Sequence, residues 1–332
     1  MPKDLAGLKG IVPPVVTPLN TDYTVDYPSF TRVIEHLLAG GVHGLFFLGS
    51  TSEVVFHDEA TRRQILEHAV KITNGRVPVL AGVVDPTTDR VIGHAKSAAA
   101  IGVDGVVVTA PFYTRTSQAE TIDHFRYVRD GAGVPVIAYD LPVCVHIKLE
   151  RNTVVTLGRE GTVVGLKDSS GDDGGFRYVM SDMADRPDFF CMTGGELGVD
   201  GILLAGAHGA VPGLGNVDPA GYVRLYDAAR RGDWAAAKAE QERLCRLFEI
   251  VWCGTPRTSA GASGVGGFKP PCAPWGSSRR TLWPAPNAAS TPRNRPGLKP
   301  SSAGSGSSPD LRGRHIPQRR TNHDLTVWVS AA

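Results

Sequence analysis

Short, continuously apolar runs alternate along the chain with longer runs whose apolar positions recur every three or four residues. The short runs are Ile11–Thr17, Gly44–Leu48, Val77–Val84, Gly105–Thr109, Val134–Tyr139, Val163–Leu166, Phe189–Met192 and Gly209–Val211. Unbroken apolar character, rather than alternation with polar residues, marks strands covered on both faces, as in parallel sheets. The longer runs, Tyr27–Ala39, Asp58–Thr73, Asp89–Ala100, Gln118–Arg129, Asn152–Arg159 and Phe176–Ala184, read as amphipathic helices. Asp58 and Asp89 are placed to accept from free N–H groups at helix starts. Gly40, Gly75, Gly102 and Gly131 are placed to end helices.

Eight strands with interleaved helices predict an α/β fold, a (β/α)8 barrel over residues 1–218. An open doubly wound sheet would use fewer strands and show a switch point. Two further helical runs, Pro219–Arg231 and Trp234–Val251, predict a C-terminal helical segment over residues 219–268 that packs on the barrel. Barrel chemistry sits at the C-terminal ends of the strands, so the residues there carry the functional argument.

From Pro270 the periodicity stops. In Pro270–Gly276 three prolines each remove a donor and crowd the preceding turn, which excludes a helix. The charge changes at the same place. From Lys269 onward there are ten Lys/Arg against two Asp/Glu, which leaves 25 and 31 in residues 1–268. The chain thus reads as an acidic body with a basic, Pro/Ser/Arg-rich tail over 269–332, expected to be disordered. Shifted by one base, the codons of Pro270–Gly276 read small, small, Leu/Met/Val, Arg/Cys, small, Leu/Met/Val, Gly. That pattern continues the helix of Gly267-Phe268-Lys269, so the tail reads as a frameshifted translation of a helical segment.

The five cysteines (144, 191, 245, 253 and 272) form no CxxC or Cys/His pattern, which disfavours a disulfide framework or structural zinc. Residues 1–9 hold no signal-peptide core and no run is long and apolar enough for a membrane helix, so a cytoplasmic setting is expected. The arginines of the tail, scattered among Pro and Ser, match no nucleic-acid-binding module.

Lys167 closes the sixth strand, in Gly165-Leu166-Lys167-Asp168-Ser169-Ser170-Gly171-Asp172. A lysine pointing into a barrel mouth is partly desolvated, its pKa falls, and its amine can condense with a ketone to a Schiff base. The alternative is a surface ion pair with Asp168 or Asp172. Tyr139 ends the fifth strand, where a phenol can shuttle protons or serve as a core aromatic. Gly49-Ser50-Thr51-Ser52-Glu53 follows the second strand; its hydroxyls and N–H groups can bind a carboxylate, or cap the next helix with Glu53 in its first turn. Tyr113, Gly194-Gly195-Glu196 and Val211-Pro212-Gly213 lie after the fourth, seventh and eighth strands, with no phosphate-loop pattern among them.

Together these segments resemble the dihydrodipicolinate synthase / N-acetylneuraminate lyase family, in order, from about Gly7 to Lys269. The most specific pieces are the Gly-Ser-Thr-x-Glu turn at 49–53, Tyr139-x-x-Pro142 and the 165–172 segment. The resemblance implies a (β/α)8 barrel, usually a homotetramer, that binds pyruvate or another 2-keto acid covalently, with no cofactor and no metal. It implies that Lys167 forms the Schiff base and Tyr139 is the general acid/base. It places the keto-acid carboxylate on Ser50 and Thr51 near Val211, and a proton relay through Ser50 and Tyr113, with Tyr113 near a subunit contact. Ser169, Glu196 and Cys144 are further substrate-binding candidates.

Three departures bear on the substrate. Cys144 stands where the family's synthases carry an arginine for the aldehyde's carboxylate, and a thiol offers no cationic fork. Arg115 and Lys148 are the possible substitutes. Glu196-Leu197 stands where sialic acid lyases show an Asp-Glu pair. Ser52 replaces a turn glycine, which would cost about 1 kcal/mol if the position needs a positive φ, and would narrow the pocket. A Schiff-base lyase or aldolase joining or cleaving a 2-keto acid and an aldehyde, such as a 2-keto-3-deoxy sugar acid, is therefore expected. 4-Hydroxy-tetrahydrodipicolinate synthase activity, from pyruvate and aspartate semialdehyde, is the alternative; a catalytically silent or misfolded product is the alternative of another class. Small-molecule substrates and a homo-oligomer are the expected partners, with neither nucleic acid nor membrane.

Overall fold

The computed structural model describes residues 5–254 and 258–269. Eight parallel strands, β1 (Gly10–Ile11), β2 (Leu45–Phe47), β3 (Val79–Gly82), β4 (Gly105–Thr109), β5 (Val136–Asp140), β6 (Gly165–Asp168), β7 (Phe190–Thr193) and β8 (Gly209–Ala210), form one curled sheet. Between them run α1 (Tyr27–Ala39), α2 (Glu59–Thr73), α3 (Thr88–Ile101), α4 (Gln118–Ala132), the single turn α5 (Pro142–Val145), α6 (Arg151–Arg159), α7 (Asp173–Asp182) and α8 (Val199–Leu204). After β8 come α9 (Pro219–Arg230), α10 (Trp234–Phe248) and α11 (Ala260–Phe268). No helix among the described residues is long and apolar enough to cross a membrane.

The strand order is β1-β8-β7-β6-β5-β4-β3-β2. Phe46 closes the ring: its N–H donates to the Pro13 carbonyl at 3.0 Å and its carbonyl accepts from Val15 N–H at 2.8 Å. The sheet is thus a (β/α)8 barrel without a free edge. Side chains alternate between two cores. On β5, Ile137 and Tyr139 join Phe46, Leu80, Val107, Phe190 and Met192 inside the barrel, whereas Val136 and Ala138 pack outward with the helices.

Ile11–Thr17 reads as one strand but pairs as a strand only at Gly10–Ile11. Pro13 and Pro14 have no N–H to continue a ladder, so the segment touches β2 through an isolated bridge at Pro14 and Phe46. β6 runs beyond its apolar stretch to include Lys167 and Asp168. Asp58 caps α2 by accepting from Thr61 N–H at 2.8 Å. Asp89 is not a cap: Thr87 holds that position and Asp89 lies in the first turn, where a carboxylate favours the helix dipole. Gly131 lies inside α4, and Gly133, at φ 73°, ends it. The frameshift and disorder expected from Pro270 onward, and Cys272, fall outside the described residues.

Close strand approach fixes some residues as glycine. A Cβ at Gly209 would lie 1.9 Å from the Gly10 carbonyl oxygen, on backbone that cannot step aside. Gly209→Ala is expected to lose about 3 kcal/mol of stability by overpacking, measured as a lower urea midpoint with an unchanged slope.

Candidate active site

Tyr139 and Lys167 are register partners on adjacent strands, and both point into the barrel. The Lys167 Nζ lies 3.9 Å from the Tyr139 ring centroid and 4.7 Å from that of Phe46. The lysine is only 6% exposed, and burial lowers its pKa from 10.5 to about 7, against the opposing pull of Glu196 and Cys144. Burial likewise raises the Tyr139 phenol to about 12, with hydrogen bonding to Ser169 and Ser50 pulling it down. The site therefore pairs an amine that is half neutral near pH 7 with a phenol that keeps its proton.

These two residues line one cavity of about 350 Å³ at the C-terminal end of the barrel. Ser50, Thr51, Ser169, Glu196, Val211 and Cys144 line it too. Eight of the nine site residues singled out in the sequence thus meet in one place. The ninth, Tyr113, does not line it: it is 94% exposed, at φ 74°, on the loop after β4.

The turn carrying Ser50 and Thr51 is held by its own backbone. Ser52 and Val54 N–H donate to the Gly49 carbonyl, and Glu53 N–H to that of Ser50. Leu48 and Glu53 take the positive φ values, 54° and 60°, and Ser52 does not. Ser52 is therefore unstrained: the position does not need the positive φ that would have made a serine costly there. Its hydroxyl donates to the Val15 carbonyl at 2.5 Å, and it leaves the cavity lining to its neighbours.

Glu196 sits across from Lys167. Its Oε2 accepts from Leu214 N–H at 2.8 Å and from the Tyr222 hydroxyl at 3.1 Å. Burial raises its carboxyl to about 7, against those donors and Lys167. Ser169 is fixed by its N–H donating to the Asp140 carbonyl at 2.9 Å, and its hydroxyl occupies space that a side chain at Gly194 would take. Cys144 stands on α5 at the rim, open to solvent on one side. Desolvation of its other side pushes the thiol up, so it is not primed as a thiolate.

Neither suggested substitute for the missing arginine reaches the cavity. Arg115 is exposed, and Lys148 is engaged by Asp140 and lies 4.0 Å from Asp168 outside the barrel. Among the described residues Lys167 is the single lysine or arginine in the lining. The sequence reading missed the roof: Gly261, Gly264, Val265 and Phe268 of α11 line the cavity, and Glu53 is buried in its wall. The sequence signal was the helical segment ending at Gly267-Phe268-Lys269, which places a helix on the barrel but not over its mouth.

Residues 7–258 match the model of the dihydrodipicolinate synthetase family. The chain belongs to that family. The 4-hydroxy-tetrahydrodipicolinate synthase of Phenylobacterium zucineum is 32% identical over 244 residues, 74% of this chain and 82% of that protein. The Escherichia coli protein named "Probable 2-dehydro-3-deoxy-D-pentonate aldolase YjhH" is 33% identical over 252 residues, 75% of this chain and 84% of its own. Among solved structures, a Bacteroides thetaiotaomicron dihydrodipicolinate synthase shares 34% identity at a TM-score of 0.74, covering 79% of this chain and 87% of its own. E. coli YagE, solved in complex with pyruvate, shares 30% at 0.73, covering 79% and 89%. As a member of the dihydrodipicolinate synthetase family the chain is a lyase of the aldolase type, and its barrel is the family's barrel.

Proposed function

We propose that the cavity binds a pyruvate-type 2-keto acid as a Schiff base on Lys167 and makes or cleaves its bond to an aldehyde. The buried, near-neutral amine against Tyr139, facing the hydroxyls of Ser50 and Thr51, carries this reading. The amine adds to the keto carbon, and Tyr139 gives its proton to the departing hydroxyl, leaving an iminium and a phenolate. In the cleavage direction the phenolate takes the proton of the C4 hydroxyl. The C3–C4 bond breaks, its electrons flow into the iminium, and an aldehyde leaves behind an enamine. Tyr139 then protonates C3, and water hydrolyses the imine and restores the lysine. Ser50 and Ser169 sit where they can hold the Tyr139 hydroxyl through this cycle. Tyr113, exposed at a strained backbone position, fits a place at a contact between copies in a cytoplasmic homo-oligomer.

The lining favours an aldehyde without a second carboxylate, such as the fragment released from a 2-keto-3-deoxy sugar acid. Cys144, Val143, Val145 and Leu141 form the rim, and no arginine stands there among the described residues. Aspartate semialdehyde is the competing partner, on the strength of the relatives named as synthases. Release of pyruvate from 2-keto-3-deoxy sugar acids is expected to exceed condensation with aspartate semialdehyde by at least about tenfold in kcat/KM, the worth of one missing charged hydrogen bond. The reverse order, in parallel coupled assays, would sink the sugar-acid reading.

A further inference from the structure

Glu53 is an odd residue for its position. It closes the carboxylate-binding turn in a left-handed conformation and opens a short 3-10 turn at Val54–Phe56, yet its side chain makes no capping hydrogen bond. The carboxylate is buried instead, against the Lys269 ammonium; the two side chains are 1% and 8% exposed. Among the described residues neither head group has a partner beyond the other, so each charge is compensated by the other, while burial still holds the Glu53 carboxyl above its usual range. Buried charges without such compensation are not tolerated.

The two partners come from structures with different work. Glu53 belongs to the turn that carries Ser50 and Thr51. Toward the barrel that turn is anchored at Ser52, whose hydroxyl donates to Val15 and whose carbonyl accepts from Thr17. Lys269 follows α11, whose face roofs the cavity. That helix has nine residues, four of them glycine, and would not hold together in isolation. It also packs against the 3-10 turns Glu249–Trp252 and Gly213–Asn216. Phe268 packs on Phe248 with ring centroids 6.2 Å apart, and the Ser263 hydroxyl accepts from Gly254 N–H at 2.8 Å.

We propose that the Glu53–Lys269 pair is a positioning element that locks the keto-acid carboxylate turn to the α11 roof, so that Ser50, Thr51 and Phe268 are set by one buried contact. Lys269 stays out of the cavity lining and acts through Glu53. The proposal rests on reading the cavity as a keto-acid site.

The test uses the full chain, with pyruvate as the probe. Borohydride trapping on Lys167 is followed by intact mass against pyruvate concentration for the parent, Lys269→Met, Glu53→Gln and the double variant, with thermal unfolding alongside. Each single variant is expected to raise the half-saturating pyruvate concentration by about tenfold or more, as a loosened turn misplaces the carboxylate. The limiting extent of adduct stays at the parent level, because Lys167 is intact. The double variant is no worse than the poorer single variant, since it leaves no lone charge. Lys269→Arg recovers most of the loss. Should Lys269→Met lose cooperative unfolding, Lys269→Gln, which keeps a donor for Glu53, is read by the same criteria. Unchanged half-saturation in the single variants, or simply additive losses in the double, overturns the pair's role. A parent that forms no adduct overturns the keto-acid reading itself, and that outcome is separate because it appears before any variant is made.

Discussion

Lys167→Ala is expected to abolish trapping of pyruvate by borohydride and to lower turnover by at least about a thousandfold, the cost of removing a covalent nucleophile. The parent should gain one pyruvate-sized mass increment, located on the peptide containing Lys167. The variant should stay folded, because removing a buried amine from beside Glu196 leaves a carboxyl whose pKa is already raised to about 7 and which keeps its Leu214 and Tyr222 donors. The pH dependence has a definite sign. Burial lowers the folded-state pKa of Lys167 to about 7, so the reactive neutral amine is populated above that pH. Imine formation at low pyruvate should therefore rise about tenfold per pH unit up to about 7 and flatten beyond it. The limb belongs to Lys167 and Glu196 together, since both titrate near 7 and each shifts the other. A limb near pH 10, as for an exposed lysine, would refute the desolvated amine. A folded parent with no adduct at any pH would mean that the barrel is a silent binding protein.

Tyr139→Phe is expected to have the second largest effect, a loss of about a hundred- to ten-thousandfold in turnover with Lys167 still able to form an adduct, more slowly. The ring stays, so the aromatic contact beneath the amine survives; only the proton carrier is lost. The same substitution should suppress deuterium wash-in at pyruvate C3, because enamine protonation loses its donor. Wash-in at the parent rate would assign the proton to another group, with the exposed Tyr113 the first to test.

Much of this was legible in the sequence because the informative residues follow strands. Tyr139 and Lys167 stand at the ends of apolar runs, and barrel topology alone brings such ends together. Glu196 and Val211 were found the same way. What was illegible depends on contacts between distant segments. Glu53 reads locally as a helix-start acid; burial against Lys269, far along the chain, makes it something else. The positive φ values at the turn fall on Leu48 and Glu53, which no sequence pattern marks, and not on Ser52, where a replaced glycine raised the question. Strand limits slipped where a polar residue faced the interior, as at Lys167, or where proline broke the ladder, as after Ile11.

The alternation along β5 and β6 also guards the register of the sheet. Tyr139 and Lys167 face inward while the next residues, Asp140 and Asp168, face outward toward Lys148. A slip of β6 by one residue would carry an aspartate into the apolar barrel and strand a lysine beneath the helices. Misassembled barrels of this kind are thus penalised on both surfaces of the strand at once. The inward-facing tyrosine and lysine thus also fix how the sheet is put together.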